Sequence, residues 1–245
     1  MTRMLASVAN LEEALLVLEA GADLIDLKAP ATGALGALPA QRVAEIVAVV
    51  ASRRPLSATV GDLPMEPATV LDAAREMAAT GVDYVKLGFF PGGDWYGCID
   101  ALDGLAGGGI RLVAVLFGDQ PPAPALLPKL AAAGFAGAML DTLDKSAGPL
   151  TRHRELPQLR EFVRSCRSLG LLAGLAGSLG EQDVLPLAAL EPDYLGFRGA
   201  LCRGRERQSG LDPERLGRIR MLLQGNPQRS ATLPGTSPRR QGIAG

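Results

Sequence analysis

The sequence predicts a TIM-type (β/α)₈ barrel, a fold of the α/β class. The chain has 245 residues, which suits a single barrel domain. Short apolar runs alternate with longer stretches of helical periodicity, the pattern of a parallel sheet whose strands are joined by helices. Eight such runs follow one another without a long polar linker. This number favours closure into a barrel over an open, doubly wound sheet.

The eight predicted strands are rich in apolar and β-branched side chains. In chain order they run from Met4 to Val8, Leu24 to Lys28, Leu56 to Val60, Tyr84 to Gly88, Arg111 to Phe117, Gly137 to Asp141, Leu171 to Ala176 and Tyr194 to Arg198. Their spacing leaves room for one helix after each strand. The pattern therefore repeats as a strand and helix unit along most of the chain.

Helices are predicted between these strands. Asn10 is a typical N-cap for the first of them, and apolar residues at three- and four-residue spacing mark the second between 43 and 50. The fourth, around Trp95 to Ala106, is interrupted by glycines and predicted to be weak. Glycines that would end helices stand just before four of the strands, at Gly21, Gly81, Gly134 and Gly170. The barrel domain is placed at residues 1–224, and residues 225–245 are predicted to be a disordered tail.

Composition limits the function classes. The formal net charge is -1, so bulk electrostatics gives no attraction to nucleic acid or to an acidic membrane. The apolar stretch near the N-terminus is too short, and is followed too soon by polar residues, for a signal peptide or a membrane span. Three widely spaced cysteines predict neither a disulfide framework nor a zinc site. We expect a cytoplasmic protein that acts on small molecules without a metal or organic cofactor, and whether it forms a homo-oligomer stays open.

Lysine is scarce and unevenly placed. Of 25 basic residues only four are lysines, at positions 28, 86, 129 and 145. Lys28 closes the second predicted strand, with Asp26 on the same inward face. Lys86, Asp141 and Arg198 lie at or near the ends of the fourth, sixth and eighth strands. Inward residues of alternate barrel strands share a layer, so these groups are predicted to form a ring at the C-terminal mouth, where barrel active sites lie.

Such a ring is suited to imine chemistry. A lysine attacks a carbonyl only as the free amine, and burial together with a second nearby cation lowers its pKa. Lys28 with Lys86 nearby meets this requirement, and Asp26 could carry protons while the imine forms. The positive imine nitrogen would then allow a base to remove a proton from the adjacent carbon. The alternative interpretation is a structural ion pair between Lys28 and Asp26 at the barrel rim.

Two glycine-containing turns predict a phosphate site. Gly177 and Ser178 follow the seventh strand, and Arg198 and Gly199 follow the eighth. Barrels commonly hold phosphate at these places, on backbone N–H groups and a helix N-terminus. Each glycine alone is also compatible with a plain turn. The partners are therefore expected to be phosphorylated small molecules, while part of the arginine run from 203 to 207 is expected to be exposed surface.

Several of these segments together resemble the (5-formylfuran-3-yl)methyl phosphate synthase family. The similar segments occur in family order from the first strand to about Leu216: residues 26–30 with 33–37, 57–62, 83–88, 138–142 with Lys145, 175–178, and Arg198-Gly199-Ala200 with Cys202. The resemblance implies a lyase of methanofuran biosynthesis. This enzyme would condense two molecules of triose phosphate, such as glyceraldehyde 3-phosphate, close a furan ring and eliminate one phosphate.

The resemblance also implies roles for individual residues. Lys28 would form the Schiff base, and Lys86 would accept a proton. Asp26, Asp141 and Lys145 would assist at the same site. Two alternatives stay open at the level of sequence, namely another Schiff-base aldolase acting on a sugar phosphate and a non-catalytic barrel that binds phosphate.

Overall fold

Eight parallel strands close into a barrel in chain order, each paired with the next and the last with the first. The structure, a computed structural model, describes residues 1–121 and 123–225. The strands are β1 Arg3–Val8, β2 Leu24–Leu27, β3 Leu56–Thr59, β4 Tyr84–Gly88, β5 Leu112–Phe117, β6 Gly137–Asp141, β7 Leu172–Leu175 and β8 Tyr194–Phe197. The predicted barrel is confirmed, and every strand lies within one residue of its predicted limits.

Helices connect the strands on the outside of the barrel. They are α1 Leu11–Glu19, α2 Ala40–Val50, α3 Pro67–Ala78, α4 Trp95–Gly107, α5 Leu126–Ala132, α6 Leu150–His153, α7 Leu156–Ser168, α8 Glu181–Ala188 and α9 Pro213–Gln224. Asn10 caps α1 as predicted, since its side chain accepts a hydrogen bond from the Glu13 backbone N–H. The four glycines predicted to end helices all have positive φ, a conformation that glycine adopts at low cost.

The fourth helix forms in spite of its glycines. Asp94 caps it by accepting the Gly97 backbone N–H at 2.8 Å, and α4 buries Cys98, Ile99 and Leu102. Tertiary packing therefore outweighs the low helix propensity of glycine here. Trp95, at its start, packs edge-on against a neighbouring phenylalanine ring and donates to a backbone carbonyl.

Two apolar cores hold the fold together. The larger lies between the outer faces of the strands and the helices. The smaller lies inside the barrel and includes Leu24, Val113, Val115, Met139 and Tyr194. It extends upward beside β4 and β5 through three further side chains, Leu35, Phe90 and Phe117. These three side chains pack at the C-terminal ends of β4 and β5.

Two further sequence predictions concern the C-terminal tail and membrane-spanning segments. Apart from Gly225, the predicted tail lies outside the described residues. Within residues 1–121 and 123–225, no helix is long and apolar enough to cross a membrane.

Candidate active site

A pocket of about 270 Å³ opens at the C-terminal ends of the strands. All nine predicted site residues line it: Asp26, Lys28, Lys86, Asp141, Lys145, Gly177, Ser178, Arg198 and Gly199. Three of the four lysines of the chain thus face one cavity, while Lys129 lies on α5 and pairs with Asp100. The structure brings together the residues that the sequence analysis selected.

Asp26 forms the floor of the pocket and is fully buried. Its register neighbours on the two flanking strands are Ser7 and Ser57. Both serine hydroxyls donate to its carboxylate, Ser7 to Oδ2 at 2.9 Å and Ser57 to Oδ1 at 2.6 Å. Because these donors belong to strands β1 and β3, the barrel itself fixes the orientation of the carboxylate.

Lys86 completes the environment of Asp26. Its Nζ lies 2.9 Å from Asp26 Oδ1, and the Lys86 side chain is only 3% exposed. Burial alone would raise the pKa of Asp26, but the positive charges of Lys86 and Lys28 and the Ser57 hydrogen bond outweigh it and leave the pKa below its ordinary value. Asp26 is therefore held as a carboxylate.

A second pair lies across the pocket, at the end of β6. Lys145 Nζ donates to Asp141 Oδ1 and to the Thr142 carbonyl, both at 2.5 Å. The Thr142 backbone N–H also donates to Asp141. Burial acts to raise the Asp141 pKa, but the charges of Lys145 and Lys28 and these hydrogen bonds lower it to about 2. The second carboxylate is thus also held ionised.

Lys28 lies between these two pairs and differs from both other lysines. Its side chain is buried, and among the described residues its amine has neither a hydrogen-bond partner nor a carboxylate oxygen within 4.0 Å. Burial is the largest cause lowering the pKa of Lys28, and Lys145 and Lys86 act in the same direction. The carboxylates Asp141 and Asp26 oppose them, and the pKa falls to about 8. The fraction of neutral amine near neutral pH is therefore much larger than for an ordinary lysine, although the protonated form still predominates.

The turns after β7 and β8 present free backbone donors to the same pocket. Gly177 and Ser178 both have positive φ, which is uncommon for a serine and typical of functional turns. In the described part of the chain, the N–H groups of Gly177, Ser178, Gly199 and Ala200 have no hydrogen-bond acceptor. Since these residues line the cavity, the two turns have the geometry of an anion site.

Arg198 also lines the pocket, but its guanidinium is occupied by protein groups. It forms a two-pronged ion pair with Glu13 of α1. Its other donors reach the carbonyls of Ser7, Arg207 and Ser209. All five N–H bonds of the group are used, so Arg198 holds the turn after β8 in place. Direct binding of phosphate by Arg198 stays a prediction.

Sequence reasoning missed four residues that shape the site. Ser7 and Ser57 hold Asp26, Glu13 holds Arg198, and Arg207 lines the cavity. The signal for the serines was present, because each is a polar residue at an inward strand position. Glu13 and Arg207 gave no comparable signal, since helix starts and loops commonly carry exposed charges. In the described ranges, no group of His, Cys, Asp and Glu residues could hold a metal ion.

Comparison with known proteins identifies the family. The family model described as 4-HFC-P synthase matches residues 4–220. A (5-formylfuran-3-yl)methyl phosphate synthase of Methanococcus aeolicus is 34% identical over 218 residues, covering 84% of this chain and 93% of that protein. A protein of Methylorubrum extorquens, to which the same name is given provisionally, is 45% identical over 229 residues, 94% of each chain.

Similarity to solved structures supports the fold alone. The 3-hexulose-6-phosphate synthase of Salmonella typhimurium superposes with a TM-score of 0.60 at 18% identity, covering 91% of this chain and 99% of that one. The match of the family model over most of the sequence is more specific. The chain belongs to the 4-HFC-P synthase family.

Proposed function

We propose that this protein is a lyase that makes (5-formylfuran-3-yl)methyl phosphate from two triose phosphates through an imine on Lys28, in the biosynthesis of methanofuran. The observation that carries the proposal is the buried Lys28 amine between two lysine and aspartate pairs. Within residues 1–121 and 123–225 this amine is unpaired, and the N–H groups of the turns beside it have no acceptor. The overall change balances. Two triose phosphates give the furan phosphate, one inorganic phosphate and two molecules of water.

The proposed chemistry starts at Lys28 Nζ. The neutral amine attacks the carbonyl carbon of the first triose phosphate, and loss of water gives the protonated imine. A base then takes a proton from the adjacent carbon, and the resulting enamine forms the new carbon–carbon bond to the second triose phosphate. Lys86 and Asp26, hydrogen-bonded at 2.9 Å, are the proposed proton carriers. Lys145 with Asp141 is proposed to assist the later eliminations.

The phosphate of the first substrate is proposed to sit on the turns after β7 and β8. Backbone N–H groups at Gly177, Ser178 and Gly199 would donate to its oxygens. The Arg198 guanidinium supports this turn from behind through its bonds to Glu13 and to three carbonyls. Action in the cytoplasm stays part of the proposal, and the three free cysteines, all buried, are compatible with it.

The decisive experiment is reductive trapping followed by product analysis. Borohydride with glyceraldehyde 3-phosphate should attach one triose-sized adduct, which peptide mapping locates at Lys28. Lys28→Arg keeps the charge but cannot form the imine, so it should be folded, untrapped and inactive. Lys129→Arg is the matched control, because Lys129 lies on α5 outside the pocket, and it should behave as the parent protein.

The same experiment tests the division of roles between the lysines. Lys86→Ala should still be trapped at alkaline pH yet turn over about 10² to 10⁴ times more slowly, the usual effect of losing a general acid or base. The mass of the product separates the furan phosphate from an ordinary aldol product. An adduct only at Lys129, or no adduct in the parent protein, would overturn the imine mechanism.

A further inference from the structure

The segment after β8 lies at the mouth of the pocket, which its residues Arg205 and Arg207 line. We call residues 202–211 the strap. Its two ends are joined by an antiparallel bridge between Cys202 and Leu211 and by a hydrogen bond from the Arg203 N–H to the Gly210 carbonyl. From below, Arg198 donates to the carbonyls of Arg207 and Ser209. The strap therefore has a defined position although it contains little regular structure.

Arg207 anchors the strap to the loop after β2, two strands along the barrel from β8. Its Nη2 donates to the Gly33 carbonyl, in the loop after β2, at 3.0 Å. That loop is itself held, because the Asp62 carboxylate accepts the N–H groups of Ala34 and Leu35 at 2.8 and 2.7 Å. The Arg207 guanidinium is thus fixed above β2, the strand that ends next to Lys28.

Most of the donors of Arg207 are not used by the protein. Within the described residues, its guanidinium makes the single hydrogen bond to Gly33, whereas Arg198 uses all five of its N–H bonds. Arg207 lines the cavity and is half-buried. A half-buried guanidinium with free, forked donors has the geometry that binds a phosphate group in two-pronged fashion.

The charges of the pocket also favour binding of a phosphate group near Arg207. Lys86 is paired with Asp26, Lys145 with Asp141 and Arg198 with Glu13. Of the remaining cationic residues that line the cavity, Lys28 must be neutral to react. Arg205 and Arg207 are then left as positive charges without a carboxylate among their close contacts in the described chain. The pocket can therefore accept an anion in addition to the one on the backbone turns.

We infer that Arg207 binds the phosphate of the second triose phosphate, the one that does not form the imine. This inference rests on the proposed function, which requires two phosphorylated substrates in one pocket. Lys28 is buried inside the pocket, so under the proposed function the first substrate binds deep, close to the turns after β7 and β8. The second substrate enters above it, where the half-exposed Arg207 lies on the strap.

Phosphate binding can be measured without turnover. Titration calorimetry with inorganic phosphate should give two sites in the parent protein and one in Arg207→Met. The matched control is Arg203→Met, because Arg203 is exposed on the same strap and does not line the cavity; it should keep two sites. Two sites in Arg207→Met, or a single site in the parent protein, would overturn the inference.

Kinetics then assigns the site to the second substrate. In Arg207→Met, the triose phosphate concentration that half-saturates borohydride trapping at Lys28 should be unchanged, while that for product formation should rise about 10- to 100-fold, as for loss of a charged hydrogen bond. An equal rise in both would place Arg207 at the first substrate and refute the assignment. A parent protein that binds two phosphates but forms neither adduct nor product would instead refute the proposed function.

Discussion

Lys28 owes its chemistry to its neighbours rather than to its own side chain. The ordinary pKa of this side chain is 10.5, and here burial, helped by Lys145 and Lys86, lowers it to about 8. The two carboxylates Asp141 and Asp26 limit this fall. The reactivity of the amine is therefore set by a balance of opposite charges that single substitutions can tilt in either direction.

Two substitutions at one ion pair should move the Lys28 pKa in opposite directions. Asp141→Asn removes a charge that raises the pKa and leaves the Lys145 ammonium unpaired nearby, so the pKa should fall. Lys145→Met does the reverse and should raise it. Since only the neutral amine is trapped, the pH midpoint of borohydride trapping should move down in Asp141→Asn and up in Lys145→Met. Lys129→Met should not move it, and shifts of the same sign in both variants would contradict this electrostatic account.

The residues predicted from sequence were those whose type is unusual for their place. A lysine or aspartate at the inward end of an apolar strand is costly to bury, and this conflict identified Asp26, Lys28, Lys86 and Asp141. The same reasoning overlooks residues whose place is ordinary. Arg207 belongs to a loop rich in arginine, and nothing local distinguishes it from its exposed neighbours. Only the closed barrel shows that it faces the cavity.

At the scale of elements, the turn after β7 combines strain with close packing. Gly177 has φ +102, and a Cβ there would lie 2.9 Å from both Cγ2 and the backbone N of Thr142, the residue after Asp141. Ser178 then donates to the Lys145 carbonyl. The turn that presents free N–H groups is thus packed directly against the Asp141 and Lys145 pair.

Gly177→Ala should therefore damage the anion site as well as the fold. The added methyl group must displace Thr142. In addition, alanine must adopt a backbone conformation with positive φ, which itself costs about 1–2 kcal/mol. Gly170→Ala is the matched control, because Gly170 has φ +73 but open space around its Cβ position. Both variants should lose stability in urea denaturation, but only Gly177→Ala should lose affinity for inorganic phosphate. Equal phosphate affinity in the two variants would show that the turn does not bind the anion.

Element boundaries were predictable where periodicity was strong. All eight strands were predicted, because an inward and an outward apolar face give continuous apolar runs. The short helix α6 and the strap were not predicted, since their positions depend on distant partners. The strap, for example, is held by Arg198, the residue after β8, and by the Gly33 carbonyl. Local sequence predicts neither contact.

For the whole molecule, the site carries a cost in stability. The pKa of Lys28 is lower in the folded state, about 8, than its ordinary value of 10.5, so the unfolded chain binds the proton more tightly. The penalty is complete below pH 8 and disappears as the pH rises above 10.5. At 1.36 kcal/mol for each pKa unit, it is on the order of 3 kcal/mol.

Lys28→Met should therefore be inactive yet more stable than the parent protein. Methionine keeps a similar length, removes the buried ionisable group and fills the same space. Denaturation at pH 7 should show a gain of about 2–3 kcal/mol, and the gain should shrink toward pH 10.5. Lys129→Met, outside the pocket, should show no such gain. A Lys28→Met protein less stable than the parent at pH 7 would refute the assigned cost.

The site residues are divided between the two halves of the barrel, and this division has a consequence for the newly made chain. Asp26 lies on β2, Lys28 directly follows it and Lys86 lies on β4, while Asp141, Lys145 and the turns after β7 and β8 come from β6 onward. As the chain leaves the ribosome, the first half emerges with a lysine of ordinary basicity, protonated and unreactive. Under the proposed mechanism, the Lys28 amine becomes a nucleophile only when the second half packs around it and excludes water. An incomplete chain would then not capture aldehydes, because closure of the barrel is what lowers the Lys28 pKa.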